Sequence, residues 1–205
     1  MDRMIAEPLP ADREREVVAQ AKSGNYAARE ALFLAHRRAV YLLALQLLGN
    51  PDDAMDVVQE TLLRFFVTIG RFKEESPVRP WLMRIARNLS IDIIRKRSPR
   101  RIKPISEDEE MILDPPDPGP GPEALASRRQ VQRRVWSAVC ELKALHREIL
   151  ILRDYQDLSY REIAHVLEIP VGTVMSRLHK ARSCLRELIE ESPGKGKGNA
   201  EREEP

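Results

Sequence analysis

The stretch LSYREIAHVLEIPVGTVMSRLHKARSCLREL, residues 158–188, carries Arg177, Lys180, Arg182 and Arg186 with no acid among them before Glu187. Wound as a helix, Val174, Leu178, Ala181 and Leu185 fall on one apolar stripe. The opposite face presents Thr173, Ser176, Arg177 and Lys180, with Met175, His179 and Arg182 set obliquely. Hydroxyl, guanidinium and ammonium groups at that spacing can read base edges in a DNA groove and grip its phosphates. The competing reading is an ordinary helical hairpin with a solvated basic face.

A second basic block lies upstream. Between Arg84 and Lys103 eight Arg or Lys residues stand against one acid, Asp92. Arg84, Arg87, Asn88, Arg95 and Lys96 sit away from the apolar stripe of WLMRIARNLSIDIIRKR, and the loop before it, RFKEESPVRP, supplies Phe72, Lys73 and Ser76. Positive charge grips a nucleic-acid backbone, while an aromatic side chain on a shaped loop can hold an unstacked base. Phe72 and Trp81 completing an apolar core is the plainer alternative. A third polar face is acidic: DDAMDVVQETLLRFF carries Asp52, Asp53, Asp56, Gln59 and Glu60. It repels phosphates and suits a basic protein partner, or simply solvent.

No enzyme constellation accompanies these faces. The sequence offers no nucleophile beside a base, no clustered carboxylates in an apolar setting and no phosphate-cradling glycine loop. Catalytic residues, metal ligands, cofactors and a small-molecule substrate are therefore not expected. Cys140 and Cys184 are far apart and belong to no Cys/His cluster, so they read as small apolar residues in a reducing compartment. The opening residues lack an apolar signal region and no run reads as a membrane span, which points to a cytoplasmic protein with no direct membrane insertion.

The elements that must position the three faces are helices. The chain has 205 residues, 42% apolar but only 5% aromatic, a balance that favours helix over sheet. The expected fold is all-α: two small helical domains joined by a flexible acidic Pro-rich linker. Residues 1–24 read as a flexible leader. Residues 25–97 form a three-helix domain with Asp52 or Asp53 as a cap, and residues 98–124 are the linker. Residues 125–190 form a four-helix domain containing a helix-turn-helix, and 191–205 a disordered tail. From Pro104 to Glu123 there are six prolines and seven acids without a Lys or Arg, so no core can form there. In the C-terminal domain Ser159 and Glu162 have the spacing of a capping box, Pro170 interrupts the first helix of the pair, and Thr173 begins or caps the second. Val131, Val135, Trp136 and Val139 are expected to face inward.

DDAMDVVQETLLRFF, RPWLMRIARNLSIDIIRKR and LSYREIAHVLEIPVGTVMSRLHKAR, in this order and on either side of a linker, together resemble the bacterial sigma-70 superfamily, in particular its small two-domain extracytoplasmic-function (ECF) branch. The resemblance covers roughly residues 25–97 and 125–190. It implies a promoter-specificity subunit of RNA polymerase, and not an enzyme. Asp56, Gln59 and Glu60 would dock on the β′ clamp helices of the core polymerase, and the β flap is a further contact. Phe72 through Val78 match a loop that captures a flipped non-template base of the −10 element. Arg84, Arg87, Asn88 and their neighbours match the face that follows the melted strand. The C-terminal domain would read the duplex −35 element, with Met175, Ser176, His179 and Lys180 at contacting positions. An anti-sigma protein is an implied partner. Met175 stands where many relatives carry arginine, and KEESPVRP is more acidic and proline-rich than the usual loop. A free-standing helix-turn-helix regulator that binds duplex DNA without polymerase is the alternative the residues leave open.

Overall fold

The computed structural model describes residues 10–72, 77–96 and 122–191, and every element among them is helical. The leader 1–24 departs from expectation: Ala11–Lys22 forms helix α1, with Val18 and Ala21 buried. Gly24, at φ 97°, turns the chain where a side chain would be strained. Asn25 then caps α2, Tyr26–Leu48, by accepting from the Ala28 N–H at 3.2 Å.

Left-handed Gly49 ends α2, and the Asn50 side chain caps α3, Pro51–Thr68, by accepting from the Asp53 N–H at 3.0 Å. Asn50 thus takes the role expected of Asp52 or Asp53. The reason is Pro51: lacking an N–H and locked near helical φ, it suits the first helical position and puts the cap one residue earlier. A 3-10 turn, Ile69–Arg71, follows α3, and α4 runs Val78–Lys96. Leu32, Leu43, Leu45, Phe65, Ile69, Leu82 and Met83 are fully buried between these helices. Each contributes about 1.5–3 kcal/mol by leaving water. By length and composition α2 is also the one described helix able to cross a membrane, but 56% of its most apolar window is buried in this bundle.

The C-terminal unit comprises α5 (Pro122–Glu141), α6 (Ala144–Leu150) continuing as a π-helical turn (Ile151–Tyr155), α7 (Tyr160–Leu167) and α8 (Val171–Glu191). Trp136 and Val139 are buried and Val135 is half-buried, as expected, but Val131 is 59% exposed. Helical spacing marks an apolar stripe without saying whether a neighbour reaches its first turns.

The two units pack together. Helix α4 lies against α7, and the buried apolar residues of both units form one continuous cluster. Between them Gln156 Nε2 donates to Gln46 Oε1 at 2.9 Å, and Arg79 Nη2 donates to the Gln156 carbonyl at 2.6 Å. The expected linker 98–124 lies outside the described residues up to Gly121, and Pro122 already opens α5. Residues 1–9 and all of the expected tail but Glu191 also lie outside them.

Candidate nucleic-acid interface

The α7–α8 pair is assembled by local signals. The Ser159 hydroxyl accepts from the Glu162 N–H at 3.3 Å and the Glu162 carboxylate accepts from the Ser159 N–H at 2.8 Å, a reciprocal capping box. Ile163, Val166 and Leu167 bury the inner face of α7. Glu168 ends it in the left-handed region at φ 55°, and the Ile169 N–H reaches back to the Ala164 carbonyl at 3.1 Å. Pro170 directly precedes α8, so that helix starts at Val171, and Thr173 lies in its first turn instead of capping it.

Val174, Leu178 and Ala181 are buried, and Leu185 is half-buried. Turned the other way, Met175, Ser176, His179, Lys180 and Arg182 are exposed, while Thr173 and Arg177 are half-buried. The structure therefore brings all seven expected residues to one helix and leaves five of them open to solvent. Arg182 is already engaged within its own unit: Nη2 donates to Asp154 Oδ1 at 2.7 Å, and this bond raises its pKa above the ordinary arginine value.

The upstream basic face is arranged differently. Arg87 Nε and Nη2 donate to the two oxygens of Glu148, at 2.5 and 3.3 Å, and its Nη1 donates to Asn88 Oδ1 at 3.0 Å. Arg84 Nη2 donates to the Glu168 carboxylate. Arg87 is thus turned to the C-terminal unit, and Arg84 meets that unit at a solvent-exposed rim, which sequence spacing has no means of revealing. Arg95 and Lys96 are exposed at the end of α4, with Asp92 a loose 3.9 Å from Arg95. At its other end, burial lowers the pKa of the Arg79 guanidinium, with Glu162 and Asp157 opposing the shift.

Phe72 corrects the expectation for the loop. It is only 7% exposed, with its ring 4.8 Å from Trp81, which in turn lies 5.6 Å from Phe65. It belongs to the core, and a base could stack on it only after the ring left that cluster. Lys73 and Ser76 lie outside the described residues.

On α3, Asp56 and Gln59 are exposed, and half-buried Glu60 accepts from Arg64 at 2.7 Å. Sequence reasoning missed what lies beside this acidic edge. A shallow groove of about 220 Å³ runs between α2 and α3, lined by Tyr26, Phe33, Leu34, Met55, Leu62 and Phe66 among others. Leu63 and Val67, off the inner stripe, are exposed on the same helix. Their position off the stripe was the available signal. Among the described residues no group of three or more His, Cys, Asp or Glu could hold a metal. Both thiols are free and half-buried, and burial pushes that of Cys140 up.

Comparison with known proteins gives these faces a family. The family model Sigma-70 region 2 matches residues 32–100, and Sigma-70, region 4 matches residues 132–185. The ECF RNA polymerase sigma factor SigE of Mycolicibacterium smegmatis is 32% identical, over 88% of this chain and 70% of its own. SigW of Bacillus subtilis is 30% identical (84% and 94%), and the sigma factor CnrH of Cupriavidus metallidurans 33% (88% and 96%). Among solved structures, CnrH in complex with the cytosolic domain of CnrY superposes with a TM-score of 0.66 at 28% identity, covering 90% of this chain and all of the other. RpoE of Bartonella quintana, in complex with the anti-sigma factor NepR, gives 0.57 at 26% identity, covering 78% and 95%. With both family regions in order along an all-helical fold, the chain belongs to the ECF branch of the sigma-70 family, the non-catalytic promoter-specificity subunits of bacterial RNA polymerase.

Proposed function

We propose that residues 25–97 bind core polymerase and the −10 element while residues 125–190 read the −35 element. In this reading α7, the turn and α8 are a DNA-binding helix-turn-helix, with α8 entering the major groove. One observation carries it: α8 buries Val174, Leu178 and Ala181 and leaves Met175, Ser176, His179 and Lys180 exposed on the other side. Such a helix is held by its own unit and presents a complete reading face. Arg182 on one flank of that face, and Thr173 and Arg177 on the other, supply phosphate contacts.

Asp56, Gln59 and Glu60 dock on the β′ clamp helices, with the apolar groove beside them adding buried area, and α8 and its unit also meet the β flap. Arg84, Arg87, Asn88, Arg95 and Lys96 follow the melted non-template strand. Lys73 and Ser76, in the loop before α4, contact the same strand. Residues 98–124, acidic and proline-rich, pass through a basic channel of the polymerase that RNA later claims. The partner proteins found with CnrH and RpoE support a protein antagonist, an anti-sigma factor, for this chain as well.

Each unit alone binds DNA weakly, because a base-pair contact contributes only about 1–3 kcal/mol of discrimination. Mounting both on one enzyme makes the second contact intramolecular, at an effective concentration of roughly millimolar. Holding an unstacked base then offsets the few kcal/mol needed to open the duplex. The test is Lys180→Ala, assayed with core polymerase on promoter DNA. Upstream-element binding should weaken with polymerase association unchanged, whereas an equal loss of association would overturn this division of labour. Tight duplex binding by the protein without polymerase would favour a free-standing regulator.

A further inference from the structure

We infer that Val171 and Met175, in the first two turns of α8, form an apolar edge that reads the 5-methyl group of a thymine in the upstream promoter element. This rests on the entry of α8 into the major groove and names what the front of that helix selects there.

Two exposed large apolar side chains of the C-terminal unit sit together at this end of the helix. Val171 is 39% exposed and Met175 54%. Four positions apart on α8, they are neighbours on its surface. Gly172 beside them adds no side chain, and the space over it is open. Ser176, next along, turns its hydroxyl back onto its own helix and donates to the Thr173 carbonyl at 3.2 Å. No charged residue stands between Pro170 and Ser176. The front of α8 is therefore apolar where its middle is cationic.

The charge around the edge decides what meets it. Lys180, Arg182 and Arg186 are exposed on α8, and the helix has no acid before Glu187. These cations draw a phosphate backbone to the helix that bears the edge. A recognition helix brings its N-terminal residues to the base edges, which places Val171 and Met175 at the bases. Of the groups that base pairs show in the major groove, the thymine 5-methyl is the apolar one, and the rest donate or accept hydrogen bonds. A valine can do neither, and a thioether accepts only weakly. Guanine is read by a guanidinium fork. The fork two turns further along this side, Arg182, already donates to Asp154 at 2.7 Å. A methyl group is what remains for this edge to recognise.

The experiment uses the full chain assembled with core polymerase. A promoter library randomised across the upstream region first gives the selected element. Each thymine of that element, on either strand, is then replaced in turn by uracil, which removes the methyl and keeps every hydrogen-bonding group. Fluorescence anisotropy of labelled promoter fragments reads affinity for the parent, for Val171→Ala/Met175→Ala and for Lys180→Ala. Both replaced side chains are exposed and alanine favours helix, so α8 is retained. At one position uracil should weaken parent binding about fourfold, the effect of burying one methyl-sized group. In Val171→Ala/Met175→Ala the thymine-to-uracil ratio should fall close to one. In Lys180→Ala every fragment should bind more weakly while the fourfold ratio persists.

A selected element without thymine, or a parent indifferent to every uracil, overturns the inference while the assignment of α8 to the groove stands. A methyl preference that survives in Val171→Ala/Met175→Ala, or that is lost equally in Lys180→Ala, removes the reading from this edge. Affinity that is unchanged when the whole upstream region is scrambled overturns the assignment of α8 itself.

Discussion

Gln46 and Gln156, 110 positions apart, share a 2.9 Å amide–amide hydrogen bond and are each 2% exposed. Gln156 also lends its carbonyl to Arg79, so one residue after the π-helical turn secures two helices of the other unit. Gln46→Leu leaves the Gln156 amide buried without its acceptor and should cost about 1–3 kcal/mol in chemical denaturation. Adding Gln156→Leu should recover much of that loss, because the orphaned group is then gone.

Glu168 combines a left-handed backbone, φ 55°, with the ion pair to Arg84. A Cβ in that conformation is strained, whereas glycine is not. Glu168→Gly and Glu168→Ala both remove the pair, yet the glycine variant should be more stable than the alanine variant by about 1 kcal/mol. Equal melting temperatures would show that no strain is stored at this turn.

Thr61 is fully buried on α3, and its hydroxyl has no hydrogen-bond partner among the described residues. Thr61→Val keeps the shape and removes the stranded group. An increase of about 1 kcal/mol in unfolding free energy is expected.

Glu14 ties α1 to two other helices, approaching His36 Nε2 at 3.3 Å and accepting from the Val78 N–H at 3.3 Å. The contact with His36 holds its carboxyl below the ordinary value of 4.5, with burial opposing and the Val78 N–H assisting. The folded protein therefore prefers the carboxylate. Its stabilisation is complete above pH 4.5 and is lost as the pH falls through the lower folded-state value. Denaturation midpoints measured down to about pH 3 should fall more steeply for the parent than for Glu14→Gln.

Met175 is 54% exposed on α8, on the face proposed to read DNA. Met175→Arg should change stability by less than about 0.5 kcal/mol, as a surface substitution away from the core. On promoter libraries transcribed with core polymerase it should shift the preferred upstream element, with discrimination of about 1–3 kcal/mol at one base pair. An unchanged preference would place Met175 outside the groove.

What the sequence determined by itself was local. The Ser159–Glu162 capping box, the apolar stripe of α8 and the basic side chains opposite it all follow from spacing within a few turns, where helical geometry leaves little choice. The family, too, was legible in three short motifs. Tertiary structure decided whatever depends on a partner distant in the chain. Val131 has an inward-looking pattern but is 59% exposed among the described residues, Phe72 turns from a loop into the aromatic core, and α1 folds where a leader was expected. Above all, Arg87 meets Glu148 across 61 positions, so a face that composition marks as open is closed. Charge and periodicity specify which side of a helix is polar. What that side pairs with is set by packing, since a desolvated arginine must find an acceptor and the nearest one belongs to another unit.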